Sequence, residues 1–77
     1  AGNATVLMRQ LEVLTQVVSC ERDRTRMGSL KRHADLVLTD AERDIPTPGD
    51  LEDLRRRHRG FGTMMADGPL GQVKTEI

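Results

Sequence analysis

Cys20, His33 and His58 are the strong nitrogen and sulfur groups of this chain, the ones from which a metal site or a nucleophile–base pair would be built. Tetrahedral metal sites draw such ligands from close pairs, a few residues apart, and none of the three has a partner at that spacing. Asp40, Glu42 and Asp44 alternate like the opening of a calcium loop. That loop needs a longer ladder, a central glycine and a terminal glutamate, and here Pro46 intervenes. Nucleophilic catalysis would join Cys20 to a histidine and an orienting group. Neither Cys20 nor His33 lies in a glycine-rich strand–turn context; Cys20 reads as a small apolar filler on a helix flank, and His33, beside Arg32, as solvated. No phosphate loop or dinucleotide fingerprint is present. The expectation is a non-enzymatic protein with no metal site and no cofactor.

A second group of residues could hold an anion. In "DLEDLRRRHRGFG", residues 50–62, Arg55, Arg56, Arg57 and Arg59 follow Asp50, Glu52 and Asp53. The planar guanidinium suits phosphate or an acidic protein partner, which makes a small nucleic-acid-binding or regulatory protein the alternative function. Nucleic acid asks for a broader basic face, or for aromatics interleaved for stacking, and Phe61 is the single aromatic residue. The run is explained more simply by helix-end chemistry. Acids favour the positive end of a helix and bases the negative end, with Gly60 in the place of a left-handed C-terminal cap and Phe61 as its apolar contact.

Whatever positions these residues is small. Seventy-seven residues make one domain, with 36% hydrophobic and 31% charged side chains and no Trp or Tyr. That is poorer in apolar groups and richer in charge than ordinary domains, so stability borrowed from a partner is expected. Twelve basic residues balance twelve acidic ones, so no overall field draws the chain to nucleic acid or an anionic membrane. One cysteine excludes an internal disulfide; a cytosolic setting fits. No apolar run approaches a membrane span, and there is no signal-peptide layout. Ala1 at the start, in place of Met, fits a processed product or an excised piece. Asn3-Ala4-Thr5 matches the glycosylation acceptor pattern, but reads better as a helix start with Asn3 or Thr5 as N-cap.

The spacing predicts an all-α fold: a helical hairpin, a short third helix and a flexible C-terminal tail. Ala4, Leu7, Leu11, Leu14 and Val18 step by three and four, the seam of a packed helix, and Val6, Val13 and Val17 widen it. Polar residues 19–29 follow. Gly28 suits a helix end and Ser29 a new cap, so the hairpin turn is expected at 28–29. The spacing resumes, in a different phase, at Met27, Leu30, Ala34, Val37 and Ala41. The second helix should stop before Pro46. Thr47 then serves as N-cap, Pro48 as first helical residue and Asp50 as reciprocal partner. Residues 1–59 form the helical module, hinged at 45–49, and 60–77 a flexible or partner-ordered tail, with Met64, Met65, Leu70, Val73 and Ile77 as sparse anchors.

One stripe needs cover, and a single short second helix supplies little. The expected function is therefore a helical subunit or protein–protein interaction module of a larger assembly. It would pack Leu7, Leu11, Leu14 and Val18 against helices of a second copy or of another protein.

Overall fold

A computed structural model describes residues 2–72, and among them every regular element is a helix, in agreement with the all-α expectation. The elements are α1 (Gly2–Val18), α2 (Arg24–Asp44), α3 (Pro48–Asp67) and a single turn, α4 (Pro69–Gln72). No helix among the described residues is long and apolar enough to cross a membrane.

The anticipated stripe of α1 forms the heart of the core. Leu11, Leu14 and Val18 are buried, Ala4 with them, and Leu7 is half-buried against the cluster. Their cover comes from within the chain: Met27, Ala34, Val37, Ala41 and Ile45 from α2 and its cap, and Leu54 and Phe61 from α3. The third helix is much longer than expected, and it supplies the cover that a two-helix hairpin lacks.

The first turn lies elsewhere than expected. It occupies residues 19–23 rather than 28–29, and Gly28 sits inside α2. Two carboxylates build it. Glu21 Oε2 accepts from the backbone N–H groups of Arg22 (3.1 Å) and Asp23 (2.9 Å). Asp23 Oδ1 accepts from Thr25 N–H at 2.8 Å and Arg26 N–H at 3.3 Å, satisfying donors that the first turn of a helix leaves unpaired. An aspartate cap thus outweighs the glycine signal. Gly28 costs its helix about 1 kcal/mol relative to alanine, and Met27, just before it, is buried. At the other terminus, α1 is already helical at Gly2, so neither Asn3 nor Thr5 is its N-cap.

The second boundary falls where Pro46 places it, with α2 ending at Asp44 and Ile45 N–H bonding the Ala41 carbonyl at 2.9 Å. Thr47 holds the N-cap position and Pro48 follows, but the threonine side chain makes no capping bond, so the reciprocal box with Asp50 is not formed.

Gly60 does not end α3. The helix runs through it and through Gly62 to Asp67, and α4 follows. Leu51, Leu54, His58, Phe61 and Met65 keep the three-four spacing across the glycines. Burying Phe61 is worth about 1.5–3 kcal/mol, comparable to the cost of two helical glycines at about 1 kcal/mol each. Met64, Met65 and Leu70, assigned to a tail by the sequence, pack on the core; Val73 and Ile77 lie outside the described residues. The true C-cap is Gly68, whose N–H bonds Met64 O at 2.9 Å. A Cβ there would lie 3.1 Å from the Val18 carbonyl oxygen and 3.2 Å from that of Met64, so the end of α3 closes tightly against the end of α1 at a residue without a side chain.

Candidate functional site

The arginine run sits in the middle of α3, not at its end, so helix-end chemistry does not account for it. Each arginine faces a carboxylate. Arg55 Nη2 lies 3.3 Å from Glu42 of α2, and Arg57 Nη1 lies 3.3 Å from Glu12 of α1. Arg56 pairs with Asp53 at 3.7 Å and Arg59 with Glu52 at 3.9 Å along α3 itself. Between them, His58 Nε2 is 2.9 Å from Asp35 Oδ1 on α2, and Lys31 Nζ donates to the other oxygen at 3.0 Å. Those two bonds, His58 first, hold the Asp35 carboxyl below its usual range.

These contacts define directions. Asp35–His58 and Glu42–Arg55 run in opposite senses along the two helices, so α2 and α3 are antiparallel. Glu12–Arg57 and the Val18–Gly68 approach run in the same sense, so α1 and α3 are parallel. The arginine pairs are substantially exposed and each is worth no more than about 1 kcal/mol, while His58–Asp35 is part-buried. Their effect is to set the rotation of α3 through carboxylates of α1 and α2.

Among the described residues no group of three or more His, Cys, Asp or Glu side chains is placed to hold a metal ion. Cys20 is exposed, with its thiol toward the carbonyls of Gln16 and Val17 at 3.8 and 3.6 Å. His58 is engaged with Asp35, and His33 is exposed on α2. Asp40 and Asp44 both pair with Arg43 at 3.1 Å, and Glu42 with Arg55.

What sequence reasoning missed is the outer side of α1. Val6, Val13 and Val17, read as a widening of the buried stripe, point away from it: they are 54%, 52% and 36% exposed. With Gln10 they recur at intervals of four, three and four, which places all four on one side of the helix. Leu36 on α2 is 55% exposed, one turn beyond His33. A groove of about 470 Å³ runs along this side, lined by Val6, Gln10, Val13 and Leu14 of α1 and His33 of α2, with Arg9 at its edge. The signal available in the sequence was charge. Only Arg9 and Glu12 are charged among the 17 residues of α1, against nine of 21 in α2 and eight of 20 in α3. No family model, curated protein or solved structure matches the chain.

Proposed function

We propose that this chain is a non-enzymatic helical interaction module, a subunit of a larger assembly, and that it meets its partner through the outer side of α1. The Leu7–Leu11–Leu14–Val18 stripe is taken up by the chain's own α2 and α3, so the contact passes to the side those helices leave uncovered. The observation that carries the reading is the pairing of exposure with absence of charge. A solvated helix face ordinarily carries charged residues. Here one flank carries three exposed valines and Gln10 beside a largely apolar groove, with Arg9 the charged residue that borders it. Single exposed apolar residues are commonplace, but a contiguous set on one face marks an interaction surface.

Site-specific photo-cross-linking tests this. A photoreactive residue at Val13 should trap a discrete protein species in the cells that make the chain, and the same residue at Gly28, exposed on α2, should not. Equal labelling from both positions, or none from Val13, refutes the proposal. Cross-links to nucleic acid from a probe at Arg56 would favour the basic run as the working surface instead.

A further inference from the structure

Resting on the interaction reading above, we infer that the partner is an acidic amphipathic helix of another protein. Its apolar ridge sits in the groove between α1 and α2, and its carboxylates lie beside Arg9 and His33.

The charge around the groove selects this partner. Among the residues that line it, Arg9 is the one with a full charge, and His33 adds a second basic group from the α2 wall. The acids of both walls are already committed within the chain. Glu12 of α1, and Asp35, Asp40, Glu42 and Asp44 of α2, each lie 3.0–3.3 Å from a basic side chain. Arg9 and His33 are exposed, and among the described residues neither is paired with a carboxylate. Arg32, next to His33 in sequence, is exposed and without an acid in the same way. The groove therefore presents basic groups that its own chain does not neutralise. A partner carrying Lys or Arg at its margin meets like charge there, and one carrying Glu or Asp meets its complement. Charges beside an apolar seam act mainly on the choice of partner.

The conformation of the partner follows from the walls. Both are helices, whose backbone N–H and C=O groups bond within each helix. An extended segment would find no strand edge to pair with and would leave its own backbone groups unmet against valine side chains. A helix brings those bonds with it. Val6, Gln10, Val13 and Val17 step by four, three and four, the spacing on which a second helix packs its own apolar ridge. Gln10, the polar member of the series, is exposed and has amide N–H groups to donate to a carboxylate, so an acidic partner satisfies it as well. A groove of about 470 Å³ takes the few side chains of one such ridge, which places the contact in the weak, exchanging class.

The test uses two synthetic helical peptides with the same leucine ridge, one flanked by glutamates and the other by lysines. Each is titrated with the 77-residue chain by fluorescence anisotropy. The glutamate peptide should bind on the order of tenfold more tightly in low salt, and the difference should shrink as salt rises. Arg9→Glu should cut the glutamate peptide's affinity several-fold, while Gly28→Glu, a charge added away from the groove, should leave it unchanged. Val13→Gln, which removes an apolar group without altering charge, should weaken both peptides several-fold with unchanged helicity, since Val13 is half exposed. Equal binding of the two peptides, tighter binding of the lysine peptide, or an Arg9→Glu or Val13→Gln variant that binds like the parent overturns the inference. So does sedimentation equilibrium in which the parent alone doubles its molar mass over the same concentrations, because the occupant is then a second copy. A discrete cross-link from Val13 in cells, with no binding of the glutamate peptide, leaves the interaction reading standing and removes only the acidic helix; failure of both removes both.

Discussion

Gly60→Ala separates a helix that stops at residue 59 from one that continues. In the structure Gly60 lies within α3 with no positive φ, and a Cβ built on it meets nothing within 4 Å. Alanine there gains helix propensity without a clash, about 0.8–1 kcal/mol. For a domain of this size each kcal/mol moves the melting temperature by roughly 4–8 °C, so a rise of roughly 3–8 °C is expected. Had Gly60 been a left-handed cap, alanine would incur about 1–2 kcal/mol of steric cost, and the shift would be downward by a similar or larger amount. The two outcomes differ in sign, so a thermal melt by circular dichroism decides between them. Gly28→Ala is the parallel test in α2, again with open space at the Cβ, and the two gains should nearly add because the sites lie on different helices. Gly68→Ala is the counter-control. Its Cβ would press on the Val18 and Met64 carbonyl oxygens at 3.1 and 3.2 Å, so it should gain less than Gly60→Ala. A fall for Gly60→Ala refutes the described course of α3.

Leu11→Ala should cost about 2–5 kcal/mol, because Leu11 is fully buried. Against a total of roughly 4–12 kcal/mol for 77 residues, urea unfolding should show the variant near or past its folding threshold. Arg57→Gln should cost less than about 1 kcal/mol and Arg56→Gln less still, since the first joins α3 to α1 and the second pairs only along its own helix; both losses should vanish in high salt. Asp35 has its pKa lowered by His58 and Lys31, so its contribution is fully present above the unfolded carboxylate value of about 3.9 and is lost as pH falls through the lower folded value. The stability gap between the parent and Asp35→Asn should therefore hold steady near about pH 5 and close toward about pH 2 in denaturant titrations; a gap that widens on acidification would contradict the assignment.

The parts of the fold legible in the sequence are those set by local chemistry. The three-four spacing of Leu7, Leu11, Leu14 and Val18 marks the core face of α1, and Pro46 and Pro48 mark where one helix stops and the next begins. The errors came where two local signals competed. Gly28 and Gly60 both look like helix ends, and in both cases burial of the following or preceding apolar residue, Phe61 or Met27, prevails over the glycine's conformational freedom. The spacing Leu51, Leu54, His58, Phe61, Met65 was the available warning that α3 continues. The candidate site was less legible, because its meaning depends on contacts distant in sequence. Asp35 and His58 stand 23 residues apart and Glu42 and Arg55 stand 13 apart. No local pattern identifies those carboxylates as the partners of the basic run. Equally, Val13 cannot be known to face outward until α3 is known to occupy the other side of α1.

The apolar and ionic patterns of α3 select the same rotation of that helix. Turning it by one residue, ~100° about its axis, would carry Leu54 and Phe61 off the core. The same rotation would part Arg57 from Glu12, His58 from Asp35 and Arg55 from Glu42. The ion pairs add little energy singly, but every alternative orientation forfeits all of them along with the buried side chains, so the preferred packing is separated from its rivals by both kinds of contact. That explains how 24 charged residues with no net charge can serve a chain with so small a core. Among the described residues no helix covers the Val6, Val13 and Val17 flank of α1, whose groove Arg9 borders, and these three valines remain substantially exposed. A face that stabilises neither by burial nor by charge is where an interaction with another helix has something left to supply.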